Sequence, residues 1–277
     1  MSVETFRKAL DFLARSGIGE ARLLGGEPTL HPEFPRLAAL ALERGFKVRV
    51  FSNGLMPAPA LEWLESCAPE RVAVLINIAH GDPLQTPALA RLQNRVTLGL
   101  NIHTPAFEPA FLLRLIRRHG LSPSIRFGLA HPDADGSNSF LHPRYYQAVG
   151  MRLARFLETA RSAGVEPSFD CGFVPCMFPP GFADALGPAA GGIGACCSPV
   201  LDILPDARVA ACFPLARLAG EPLPESETAD ALRARFTARL SGYRRLGVYR
   251  ECAACEARQS GRCNGGCLAA SLQRLRP

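Results

Sequence analysis

Val72-Ala73-Val74-Leu75-Ile76-Asn77-Ile78 is the stretch that most limits the folds open to this chain. A near-continuous apolar run of strand length has no solvent face, so it belongs in a parallel sheet buried on both sides. Similar short segments recur at Ala21 to Leu24, Lys47 to Phe51, Val96 to Ile102 and Ser124 to Leu129. Between them, helical spacing predicts Glu33 to Arg44, Ala60 to Ser66, Leu84 to Gln93 and Glu108 to His119, with stops at Gly45 and Gly120. A first helix, Val3 to Ser16, carries Phe6, Leu10 and Leu13 on one face, with Ser2 as its cap and Gly17 as its stop. Strands alternating with helices predict a parallel, right-handed βα array. Five strands are counted to Leu129, and Val165 to Asp170 is read as the last one, after a helix over Arg144 to Gly164 with Leu153, Phe156, Leu157 and Ala160 on one face. Asp133 to Asn138 is turn chemistry.

The first strand leads into Gly25-Gly26-Glu27-Pro28-Thr29-Leu30-His31-Pro32. Paired glycines supply backbone that a ligand can approach closely. Glu27 stands at the strand's C-terminal end, where parallel α/β sheets bind ligands. Pro32 is the expected first residue of the next helix, because its missing amide has no helical partner there, and Glu33 suits the positive helix end. By itself Gly-Gly-Glu is no more than an ordinary βα turn. Polar residues inside the apolar strands add to it: Asn77, Asn101 and Arg126 must each enter a polar cavity or find a partner, and alternation in a barrel turns them inward. His80, His103 and His131 follow strand ends and are read as loop histidines, and Cys67 as a small apolar packing residue.

Nine of the ten cysteines, Cys171, Cys176, Cys196, Cys197, Cys212, Cys252, Cys255, Cys263 and Cys267, fall in the last 107 residues. Met1-Ser2-Val3-Glu4 does not read as a secretion signal, so thiolate ligands to metal are expected rather than disulfides. Cys252-x2-Cys255-x7-Cys263-x3-Cys267 packs four soft ligands into a short glycine-interrupted segment. Tetrahedral zinc and a four-iron, four-sulfur cluster both accept such a set. Between Cys197 and Cys212, Ile203 to Val209 reads as a hairpin.

Gly25-Gly26-Glu27-Pro28, followed by Thr29-Leu30-His31-Pro32 and by Phe51-Ser52-Asn53-Gly54 at the next strand end, resembles the S-adenosylmethionine-binding half of the radical SAM enzymes. The resemblance implies an α/β fold, a partial (β/α)6 TIM-like barrel over residues 1–170. It also implies that Gly25, Gly26, Glu27 and Pro28 surround the amino group of the cofactor's methionine moiety, with Ser52 and Asn53 alongside and Asn101 and Arg126 on its ribose and carboxylate. The family's CxxxCxxC loop, which follows the first barrel strand, has no counterpart, since nothing before Cys67 is a cysteine. The barrel is therefore expected to lack its first strand, leaving Ala21 to Leu24 as an exposed edge. Either the recorded chain begins at an internal methionine with that loop upstream, which the intact cofactor-side motifs favour, or this is a degenerate member.

Residues 171–277 resemble the cysteine-rich SPASM or twitch extensions of the same family. That likeness implies one or two auxiliary four-iron, four-sulfur clusters. Cys212, Cys267, one of Cys196 and Cys197, and Cys176 would serve one, while Cys252, Cys255 and Cys263 would begin the other. Ala207 stands where the family's Pro-Asp-Gly turn has glycine, so a somewhat different turn is expected. The implied activity is hydrogen abstraction from a peptide or protein substrate, with an electron-donor protein as partner. A non-catalytic iron-sulfur or S-adenosylmethionine-binding protein, and a zinc-ribbon interaction module on an α/β scaffold, are the competing classes.

The net charge of +6 comes from 31 basic residues, nearly all arginine, against 25 acids. Arg233, Arg235, Arg239, Arg244, Arg245, Arg250, Arg258 and Arg262 crowd the end of the chain, and solvated helix faces account for them without a nucleic-acid partner. No run reaches the roughly 18 apolar residues of a membrane helix. A cytoplasmic location is expected.

Overall fold

Local chemistry starts the chain as its sequence suggests. Ser2 Oγ accepts the Thr5 amide at 3.0 Å and caps helix α1 (Val3–Arg15), whose Phe6 and Leu10 are buried. The computed structural model describes residues 1–78, 86–133, 137–187, 193–194 and 197–275. After α1 come β1 (Glu20–Leu23), α2 (Phe34–Glu43), β2 (Lys47–Ser52), α3 (Ala58–Ser66), β3 (Val72–Asn77) and α4 (Thr86–Leu92). They are followed by β4 (Val96–Ile102), α5 (Ala110–His119), β5 (Ser124–Leu129), α6 (Tyr146–Ser162) and β6 (Glu166–Phe169). The six strands lie in chain order in one sheet, every neighbouring pair parallel. This is the predicted partial barrel, with β1 on its edge.

Helix α2 starts at Phe34 rather than Pro32. The reason is local: a 3-10 turn, Pro28–Leu30, comes first, and His31 Nδ1 takes the Glu33 amide at 3.1 Å, ahead of the helix. Gly120 closes α5 with φ 60°, the left-handed position that favours glycine. The predicted face of α6, with Leu153, Phe156, Leu157 and Ala160, is buried. Leu84 and Gln85 of the fourth predicted helix lie outside the described residues, as does His80. Cys67 packs against the core and its thiol donates to Trp63 O at 3.2 Å.

The two faces of the sheet differ. Val48, Val50, Val74, Ile76, Leu98, Leu100, Ile125 and Phe127 bury themselves beneath the helices. On the opposite, concave face Arg49, Ala73, Asn77, Thr97 and Arg126 are half-buried and Asn101 is exposed. Burial on both sides therefore holds for Leu75 but not for its neighbours Ala73 and Asn77. The curvature of the sheet leaves them facing a polar hollow instead of a second helix layer.

Beyond the sheet, the elements are short: α7 (Phe182–Leu186), an antiparallel sheet of β7 (Asp202–Ile203), β8 (Arg208–Ala210) and β9 (Gly220–Pro222), then α8 (Ala229–Leu240), α9 (Glu256–Gln259) and α10 (Leu268–Leu272). The predicted hairpin is β7 and β8, and Ala207 itself takes a left-handed φ of 60° in its turn. Helix α8 returns to the start of the chain. Ser16 Oγ accepts the Ala229 amide at 2.9 Å, Arg15 donates to Glu227 O and Pro224 O, and Phe12 joins Val209, Ala229 and Leu232 in a small apolar cluster. The main core runs from Phe6 to Ala270.

Candidate functional site

The loop after β1 is held by the carboxylate of Glu27. Its Oε1 accepts the Thr29 amide at 3.2 Å and the Thr29 hydroxyl at 2.6 Å. Ser52 Oγ lies 3.0 Å from both carboxylate oxygens, and Oε2 accepts the Asn53 amide at 2.7 Å. Ser52 is buried, and its oxygen also takes the Gly54 amide at 2.9 Å. Asn53 Oδ1 accepts the Leu55 amide at 2.8 Å and shapes the second loop. Glu27 thus ties the end of β1 to the end of β2, and Pro28 begins the turn it caps. The glycines differ from it. Gly25 has φ 152°, both glycines are exposed, and a Cβ on either would meet no atom within 4 Å. Their backbone is open to a close approach at the strand ends.

Across the concave face, the polar strand residues stand over glycines. A Cβ on Gly99 would collide with Asn77 Oδ1, and one on Gly128 with Asn101 Oδ1. Only glycine there leaves those amides their places. Asn77 Oδ1 is buried without a partner among the described residues, a position that asks for a donor. Arg126 forms an ion pair with Asp170, the residue just past β6, and lies over the Phe51 ring at 5.1 Å from its centroid. Burial pushes the Asp170 carboxyl above the ordinary range, and the charges of Arg126, His131 and Arg22 oppose that shift. His131 Nε2 sits 3.2 Å from Cys171 O and 3.8 Å from Cys171 Sγ, beside Asp170 in sequence.

The thiols form two groups. Cys176, Cys252, Cys255 and Cys263 line one cavity of about 40 Å³, together with Val174, Val248 and Arg258. Burial first, and the other three thiols with it, push the Cys176 thiol up to about 11. Cys197, Cys212 and Cys267 make the second group, each raised chiefly by burial, with Cys267 acting on both others. Cys176 therefore joins the Cys252, Cys255 and Cys263 set and not the Cys212 set. The reason is that the turn Pro175–Met177 carries it to the cavity that Cys263 lines, while Cys212 opens the turn after β8 and does not line that cavity. Cys196 lies outside the described residues. Among the described residues no three His, Cys, Asp or Glu side chains converge on a single-ion site. Buried thiols ionise beside concentrated positive charge, which a metal centre supplies. Tyr146, at the start of α6, is buried, and burial first, with Cys267, Tyr249, Cys171 and Cys176 after it, pushes its hydroxyl above the ordinary range.

Sequence reasoning left Thr29 and Asp170 unassigned. A hydroxyl two residues past a loop carboxylate and an acid closing the last strand were the available signals. His103 is exposed. Among the described residues, no helix is long and apolar enough to cross a membrane.

Residues 1–97 match the profile of the Radical SAM superfamily. No curated protein matches the chain by sequence. Among solved structures, native anSMEcpe with bound AdoMet and Kp18Cys peptide is similar at 15% identity and a TM-score of 0.63, over 96% of this chain and 81% of that one. Streptococcus suis SuiB bound to the precursor peptide SuiA is similar at 14% identity and a TM-score of 0.66, over 99% of this chain and 66% of that one. At these identities the likeness is one of fold.

Proposed function

We propose that this chain, which carries a radical SAM domain over residues 1–97, is a S-adenosylmethionine-dependent iron-sulfur enzyme that modifies a peptide or protein. The carrying observation is the gathering of Cys176, Cys252, Cys255 and Cys263 around one cavity, in a chain whose strand ends also present an open Gly25-Gly26 backbone. S-adenosylmethionine, when bound and reduced, supplies radical hydrogen abstraction; the protein supplies position and polarity. Gly25 and Gly26 would receive the ligand's amino group on backbone carbonyls, with Glu27, Pro28, Ser52 and Asn53 keeping the loops in register. Asn77 and Asn101 would take polar groups of the ligand on the concave face, and Arg126, paired with Asp170, would set the charge there.

Residues 1–170 would be the cofactor-binding barrel and 171–277 the auxiliary part. Four thiols fit one four-iron, four-sulfur cluster, and Cys212, Cys267 and one of Cys196 and Cys197 would supply ligands to a second. A reducing compartment such as the cytoplasm and an electron-donor protein accord with so many free thiols. Peptides bound to anSMEcpe and SuiB support a peptide substrate here by analogy of fold.

Anaerobic purification with iron, sulfide and zinc analysis, followed by calorimetric S-adenosylmethionine binding, tests the reading. Iron and sulfide are expected together, and Gly26→Val, which has room for its side chain, should fold normally yet bind the cofactor at least tenfold more weakly. A protein holding zinc alone, or one whose Gly26→Val variant binds as wild type does, overturns it.

A further inference from the structure

Three of the late arginines answer to carboxylates: Arg233 to Asp230, Arg235 to Glu221 and Glu227, Arg262 to Glu256. Arg244 and Arg258 do not. Among the described residues neither has an acidic partner, and each buries a guanidinium nitrogen, Arg244 Nε and Arg258 Nη1, without a hydrogen-bond acceptor. Burying a charged donor unpaired is costly, so such a pair persists where negative charge is to be met. Both point at sulfur. Arg258 lines the cavity of Cys176, Cys252, Cys255 and Cys263, and above Gly247 its Nη1 and the Cys252 Sγ crowd one point, 3.2 and 2.6 Å from where a Cβ would stand. Arg244 is the charge that draws the Cys197 thiol of the other group downward, against burial and Cys267. Arg258 Nη2 donates to Arg244 O, so the two are locked to each other.

We propose that Arg258 and Arg244 are a linked pair of tuning residues, each placing its guanidinium against the sulfur shell of one auxiliary cluster and raising that cluster's reduction potential. The inference rests on the iron-sulfur reading above. Reduction adds one electron to a centre already made negative by its thiolates, and a fixed positive charge beside it favours the reduced form. Hydrogen bonding to cluster sulfur acts in the same direction.

Potentiometric titration of the anaerobically reconstituted full chain, followed by electron paramagnetic resonance, reads the effect. Arg258→Gln should lower one midpoint by about 59 mV, tenfold in a one-electron equilibrium, and leave the other in place. Arg244→Gln should lower the other. Arg258→Lys should retain most of the potential, and Arg239→Gln, exposed on α8, should shift neither. Wild-type midpoints in both glutamine variants, with full iron content, overturn the inference. If Arg258→Gln does not load iron, Arg244→Gln decides by the same criterion, since its backbone carbonyl still receives Arg258. Wild-type protein without iron and sulfide removes the cluster reading itself, and that result precedes any variant.

Discussion

Around Glu27 the chain provides its own partners, the Thr29 amide and hydroxyl, the Ser52 hydroxyl and the Asn53 amide. Around Cys176, Cys252, Cys255 and Cys263 it provides thiols, an arginine with an unanswered nitrogen, and a cavity. The first site is completed by hydrogen bonds between two strand ends in a regular parallel sheet. The second sits among short helical turns and positive-φ glycines such as Gly265 and Gly266, where little regular structure holds it. A region of the first kind keeps its shape when empty, whereas one of the second kind takes part of its stability from what it binds.

On the iron-sulfur reading proposed above, removing the metal is the most severe way to break that contrast. Chelation under anaerobic conditions should raise amide hydrogen exchange across residues 248–272 by at least about tenfold, while β2 to β5 keep their protection. Equal loss of protection in both regions would show that the thiols do not depend on metal for their order. Next in size is Glu27→Ala, which strands the buried Ser52 hydroxyl and the amides of Thr29 and Asn53. A loss of about 2 kcal/mol in urea unfolding is expected, with Glu27→Gln losing less, and an unchanged midpoint for Glu27→Ala would mean that the loop holds itself. The smallest effect is expected in the hairpin before Cys212. Ala207 at φ 60° holds a conformation disfavoured for a residue with a Cβ, so Ala207→Gly should stabilise the protein by about 1 kcal/mol. Destabilisation instead would show that chain entropy in the unfolded state outweighs the relief of strain.

Much of the barrel was legible in the chain because strand and helix periods are local. The apolar runs, Ser2, Gly17 and Gly120 all mark boundaries through the chemistry of neighbouring residues. The role of Glu27 was legible only as a place. Its strand-end position followed from the motif, but its clamp depends on Ser52 and Asn53, which parallel pairing brings beside it. Asp170 was missed for the same reason, since its significance comes from Arg126 across the β5 and β6 pairing. Among the cysteines, spacing indicated a metal site without showing which thiols stand together. Cys176 is distant in sequence from Cys252, Cys255 and Cys263, and only the path of the chain after β6 brings it to their cavity.

The sequence by itself determined the alternation of strands and helices, the open glycine pair at the first strand end and the supply of thiols in the last third. Those properties follow from residue type and short-range spacing. Only the tertiary structure decided that one sheet face is concave and polar, that Glu27 spends its oxygens on the neighbouring strand and its own loop, and how the thiols divide into two groups. Such pairings join residues far apart in the chain, and their geometry comes from the register of the sheet and the packing of the core.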